Sequence, residues 1–285
     1  MIDRIEPLIR DRAPWLFSGR RGTETARSML YRMLGYDRTV ALAETLEHAP
    51  TAEIMGHMGR LLARMVSVEG LHNLPLHGPA LLVANHPTGI ADGIILHHLI
   101  APHRPDLFVY ANGDILQVLP QMADLILPVE WRTDRRTHAK TRETMCATRK
   151  AIAEGRIGLI FPSGRLAKRR GMRLNERPWM PSTAMIARKF DLPVIPVNIR
   201  ARNSALFYLF DRIHPTLRDI TLFHETLNKE RQTFEIRFGT PIAACDLPAQ
   251  SDEGIAMLRA ATLGLGDRHA PDVSLIDTTR APGWA

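Results

Sequence analysis

What most constrains this chain is the alternation of short apolar runs with helical stretches from residue 66 onward. VSVEG (66–70), ALLVAN (80–85), LFVYA (107–111), LILPV (125–129), IGLIF (157–161) and LPVIPVNI (192–199) are strand-length. Between them lie segments with apolar positions three and four apart, Gly93–Ala101, Thr137–Glu154 and Thr183–Phe190. Strands spaced by helices imply crossover connections, so the pattern predicts an α/β fold with a largely parallel central sheet flanked by helices. FEIRFGTPI (234–242) reads as a late strand, followed by a helix over Asp252–Leu265.

Upstream the texture differs. From Thr23 to Met65 the period is helical, broken at Pro50-Thr51, which predicts two or three helices forming an N-terminal helical appendage. Residues 1–22 hold Pro7, Pro14, Gly19 and Gly22 and show no sustained period. Within them Trp15-Leu16-Phe17 lies between Arg12 and the Arg20-Arg21 pair, a patch suited to a lipid interface or to packing on the body. The expected division is 1–65 as the helical segment, 66–266 as the α/β domain and 267–285 as a flexible tail.

Hydrophobic residues at 45% and charged residues at 24% exclude wholesale disorder. The two cysteines, Cys146 and Cys245, make neither a disulfide framework nor a zinc site. No run of apolar residues is long enough to span a bilayer. The opening MIDRIEPLIRDRAPW is charged where a signal peptide needs an apolar core, so a cytoplasmic protein is expected.

Charge is concentrated. Between Trp131 and Arg177 stand fourteen Arg or Lys against four Asp or Glu, a local +10 beside a whole-chain +7. Such a stretch suits an anionic partner. Single-stranded nucleic acid also needs aromatic stacking platforms. The stretch holds only Trp131 and Phe161, which argues for no nucleic acid and for an anionic small molecule or membrane surface.

Ligands of open α/β sheets gather beyond the carboxyl ends of strands. There stand NHPTGIADG after ALLVA, PSGRLAKRR after IGLIF and RARNS after PVIPVNI. His86 falls in the turn and Asp92 in the first helical turn, close enough for the carboxylate to orient the imidazole and raise its basicity. The alternative is an N-cap aspartate beside a structural histidine. Pro162-Ser163-Gly164 forms a tight turn whose amides are suited to an anion, with Arg165, Lys168, Arg169 and Arg170 supplying charge. Arg132 opens the basic run. Asn203-Ser204 reads mainly as a helix cap, with a site role as the lesser alternative. His97-His98 reads as structural. Without HExxH, clustered carboxylates, GxGxxG or a Walker loop, neither a metal nor a nucleotide cofactor is expected.

Taken in order, four blocks resemble the lysophospholipid (glycerolipid) acyltransferase superfamily over about 65–240: NHPTGIAD (85–92), ILPVEWR (126–132), FPSGR (161–165) and LPVIPV (192–197). Five residues separate His86 from Asp92 where the family usually has four, and Ser163 stands where it usually has Glu. These features, with RARNSALFY (200–208), are similar to the branch of hemolysin-like and ornithine-lipid O-acyltransferases. The resemblance implies transfer of an acyl chain from an acyl carrier protein or coenzyme A thioester to a hydroxyl of a lysolipid or glycerol phosphate, without a cofactor. It also implies a peripheral location on the inner face of the cell membrane, against an anionic surface. His86 and Asp92 would be catalytic. Arg132, Ser163, Gly164, Arg165, Lys168 and Asn203 would bind substrate, with amides near Pro162–Gly164 or beside His86 facing the oxyanion. Two other functions compete: a thioester hydrolase on the same scaffold, and a non-catalytic anionic-lipid-binding protein.

Overall fold

The computed structural model describes residues 1–130, 137–266 and 272–274. Its centre is a seven-stranded sheet of β1 (Val66–Glu69), β2 (Ala80–Ala84), β3 (Phe108–Ala111), β4 (Ile126–Pro128), β5 (Ile157–Ile160), β8 (Val194–Arg200) and β9 (Phe234–Phe238). The order is β1-β9-β8-β2-β5-β3-β4. Every neighbouring pair runs parallel except β8 with β9. The expected largely parallel sheet is therefore present, and each apolar run of the sequence supplies one strand.

Strand β2 shows why these runs lack polar alternation. Leu82 and Ala84 point into one core while Leu81 and Val83 point into the other, so both faces are covered. Helices α8 (Ser182–Lys189) and α12 (Ser251–Gly264) cover the second face with Ala184, Ile186, Ile255 and Leu258. On the first face lies α5 (Ile90–Ile100), packed against α4 (Thr51–Leu62). Two further helices, α6 (Asp114–Val118) and α7 (His138–Ala153), complete the crossovers after β3 and β4.

The N-terminal segment is helical, as α1 (Ile2–Arg12), α2 (Thr23–Leu34), α3 (Tyr36–Thr45) and α4. Residues 1–22 are more ordered than their sequence suggests, because Ile5, Leu8 and Ile9 of α1 are buried on one face despite Pro7. Three apolar residues interleaved with charges give no visible period; the packing they find supplies the stability. Ile5, Val40, Ile54 and Met58 share one core with Leu82, Ile95 and Phe234 of the α/β layer. In the Trp15–Phe17 patch Leu16 is fully buried, and the Arg10 and Arg27 guanidinium groups lie over the Phe17 ring, 4.7 and 4.9 Å from its centroid.

Two features are absent from the sequence reading. Lys168–Arg170 and Arg173–Asn175 are strands β6 and β7 of a hairpin, joined by β10 (Asp272–Ser274) in a small antiparallel sheet. Thus part of the expected tail pairs with β7, and the rest of 267–285 lies outside the described residues. Between β8 and β9 run α9 (Ala205–Ile213), α10 (Pro215–Ile220) and α11 (Leu222–Leu227). Among the described residues no helix is long and apolar enough to cross a membrane.

Candidate active site

The loop from β2 to α5 carries His86 and Asp92. Gly89 sits at φ +107, a backbone conformation that L side chains rarely adopt, and turns the chain so that the loop's amides face back toward Asp92. Asp92 is fully buried and collects the donors. Its Oδ2 accepts from His86 Nδ1 at 3.0 Å, from the Thr88 amide at 2.9 Å and from the Gly89 amide at 3.0 Å, and its Oδ1 from the Thr88 hydroxyl. The five intervening residues therefore close a loop around the carboxylate. An Asp92 carboxylate that accepts at Nδ1 fixes the imidazole tautomer and leaves Nε2 as the proton-accepting nitrogen.

His86 is held from three sides. Its ring stacks on Phe161 at the end of β5, with centroids 4.2 Å apart. Its carbonyl accepts from the Ala167 amide at 2.9 Å. Its own amide donates to Glu176 Oε2 at 3.2 Å, while Glu176 Oε1 accepts from the Trp179 indole at 2.9 Å. Burial pushes the Glu176 carboxyl above its ordinary range, against the hydrogen bonds it accepts.

The fates of the other sequence candidates differ. His86, Gly164, Arg165 and Lys168 line one cavity of about 1080 Å³, large for a small-molecule site, where roughly 300–1,000 Å³ is usual. Ser163 lies behind that wall, its hydroxyl donating to the Arg165 carbonyl at 2.7 Å. The Gly164 amide donates to the Phe161 carbonyl at 2.9 Å, so the turn uses the donor that the sequence reading aimed at an oxyanion. Asn203 is buried and touches the loop from the rear, its Nδ2 donating to the Thr88 carbonyl at 3.3 Å. Next to it, Ser204 caps α9 by accepting from the Phe207 amide at 3.2 Å, as the capping reading expects. Arg132 lies outside the described residues.

Three polar groups were not singled out by sequence reasoning. One is Glu176, ninety positions from the His86 amide that it holds. The others are Arg177 and Arg218, which line the cavity with Arg165 and Asp211. Arg218 is clasped by Asp211 at 3.0 Å and Asp219 at 2.7 Å. Burial, then the nearby charges of Arg165 and Arg218, push Arg177 below its ordinary pKa, and among the described residues its buried Nε has no hydrogen-bond partner. An anion placed among these cations would relieve that repulsion. Arg177 only ends the basic run, and Arg218 lies in a segment without a readable period, so neither stood out. The remaining lining is largely apolar and includes Leu8, Leu42, Met55, Met58 and Ile94. A histidine–carboxylate pair, a cluster of guanidinium groups and a largely apolar cavity meet in one place.

The chain is similar to known acyltransferases. The sequence profile of the Acyltransferase family matches residues 65–200. A lyso-glycine lipid O-acyltransferase of Phocaeicola vulgatus is 27% identical over 183 residues, covering 62% of this chain and 64% of that protein. Its counterpart in Bacteroides thetaiotaomicron is 25% identical over 183 residues, covering 62% and 65%. The matched stretch thus spans just under two thirds of either relative. The crystal structure of the 1-acyl-sn-glycerophosphate (LPA) acyltransferase PlsC from Thermotoga maritima is 14% identical, with a TM-score of 0.49 over 85% of this chain and 96% of that one. Residues 65–200, the stretch that carries the His86–Asp92 loop, thus match the Acyltransferase family, and both curated relatives are named as lyso-glycine lipid O-acyltransferases.

Proposed function

We propose that this chain transfers a fatty acyl group from an acyl carrier protein or coenzyme A thioester to a hydroxyl of a lysolipid whose head bears a carboxylate or phosphate. Lyso-glycine, lyso-ornithine and lysophosphatidic acid types are the acceptors to compare. The observation that carries the reading is the His86–Asp92 pair, 3.0 Å apart, with His86 opening on the apolar cavity. The acyl chain lies among the apolar side chains. His86 Nε2 takes the proton of the acceptor hydroxyl as its oxygen attacks the thioester carbonyl, and Asp92 holds the resulting imidazolium. The tetrahedral intermediate collapses, the carbon–sulfur bond breaks, and His86 returns the proton to the departing thiolate. Arg165, Arg177 and Lys168 supply positive potential for the acceptor's head or the donor's phosphates. The enzyme works at the cytoplasmic face of the membrane as a peripheral protein.

The test is an acyl-transfer assay with purified protein and lipid vesicles, offering both donor types and all three acceptors, with His86→Ala as control. Acylated lipid formed by the wild type and lost in the variant is expected, and the preferred acceptor names the branch. Thioester loss without a new lipid would instead make the chain a hydrolase. Equal rates for wild type and variant would remove His86 from the chemistry.

A further inference from the structure

The proposed reaction needs lipid delivered to the cavity, and one outer surface is built to receive it. We propose that the outward side of α9, the β6–β7 hairpin and Trp15 together dock on an anionic lipid bilayer.

Helix α9 is two-sided. Phe207, Tyr208 and Phe210 are buried, whereas Leu209 and Ile213, one turn apart, are 53% and 60% exposed. The inner side helps form the cavity wall through Phe207 and Asp211. The hairpin is fastened to this helix: Leu174 of β7 packs with Phe207 and Tyr208, and the Arg169 guanidinium lies over the Tyr208 ring at 5.7 Å. All residues from Lys168 to Arg173 are exposed, with Met172 half exposed at the turn. Beyond α9, Trp15 donates its indole N–H to Thr216 of α10 at 3.1 Å while 39% of it stays exposed. An indole with its polar edge satisfied and its body in the open suits a headgroup boundary.

Charge selects the occupant. Lys168, Arg169, Arg170 and Arg212 are exposed on the hairpin and α9, and Arg20 and Arg21 follow the Trp15 turn. The helix's acid, Asp211, is paired with Arg218. Each basic residue near an anionic bilayer is worth about 1 kcal/mol. A second copy bound about a twofold axis would set this cationic face against itself. Apolar side chains inserted between headgroups, ringed by arginine, explain the combination. The inference rests on the proposed function only for the direction in which lipid enters.

The experiment is co-sedimentation of the full chain with vesicles of phosphatidylcholine alone or mixed equally with phosphatidylglycerol. The wild type is expected to bind the mixed vesicles at least about tenfold more tightly, less so in high salt, and Leu209→Asp with Ile213→Asp to weaken that binding by about tenfold or more. Leu76→Asp replaces an equally exposed residue before β2, at the opposite strand ends, and should bind as wild type. Circular dichroism confirms that each variant is folded. Equal binding by wild type and double variant, no preference of the wild type for anionic vesicles, or a wild-type dimer that the double variant abolishes in light scattering would each overturn the proposal. Because vesicle binding is read without turnover, loss of the proposed enzymatic activity in the wild type would leave this result standing.

Discussion

His86 and Asp92 are six positions apart, yet their side chains meet because Gly89 folds the intervening loop around the carboxylate. Asp92→Asn tests that construction. An asparagine can keep its oxygen toward the Thr88 and Gly89 amides and His86 and turn its amide to the Thr88 hydroxyl, so what it removes is the negative charge that holds the imidazolium. The expected result is a loss in kcat of roughly 10³–10⁴, as for other histidine-orienting carboxylates. Melting should register about 1 kcal/mol or less, because each buried donor keeps an acceptor and only charge-assisted bonds become neutral ones. Wild-type turnover in Asp92→Asn would show that the pair is structural only. This part of the site was legible in the sequence because its members are neighbours in the chain and the glycine and the histidine mark the turn between them. Glu176, Arg177 and Arg218 were not, since a buried glutamate holding a backbone amide ninety residues away leaves no local trace.

At the scale of elements, every long apolar run became a strand of the sheet, because burial on both faces demands continuous hydrophobicity. Helices α10 and α11 escaped for the converse reason: each has six residues, and the stretch around them buries charge. Lys229, just past α11, is fully buried with its Nζ 3.0 Å from Glu225 Oε2, and Glu225 also accepts from the Ser204 amide at 2.8 Å. That pair ties α11 to the Asn203-Ser204 segment behind the His86 loop. Lys229→Met would leave the Glu225 carboxylate buried without its cation, at a cost of about 3–5 kcal/mol. The melting temperature should fall by about 10 °C. Burial, the largest influence, pushes Glu225 up, yet Lys229 and the Ser204 hydrogen bonds together hold its carboxyl below the ordinary range. A depressed carboxyl contributes stability above its unfolded pKa, about 4.3, and loses it as pH falls through the folded value. The gap between wild type and Lys229→Met should therefore be full near neutrality and narrow in strong acid. A gap independent of pH would deny the charge its role.

For the whole molecule, the boundary near residue 65 marks a change of sequence texture, but the core crosses it. Ile5, Val40 and Ile54 pack with Leu82 and Ile95, and Leu8, Leu42 and Met55 line the cavity that His86 opens on. The periodicity of Thr23–Met65 showed that helices precede the sheet; it held no trace of what they enclose, because cavity-lining and core-facing leucines look alike in sequence. If the acyl chain lies in this cavity, its depth sets the chain length accepted, and the N-terminal helices set the depth. Leu42 of α3 is the residue to test, being only partly buried and on the cavity wall. Leu42→Trp adds bulk where there is open volume, so the overpacking cost stays near the low end of about 1–3 kcal/mol. Donors of graded chain length would be compared by kcat/KM. Long-chain donors should lose about tenfold relative to short ones, equivalent to about 1.4 kcal/mol of transition-state binding. A profile that moves uniformly, or not at all, would put the acyl chain elsewhere and leave the helices a purely structural part.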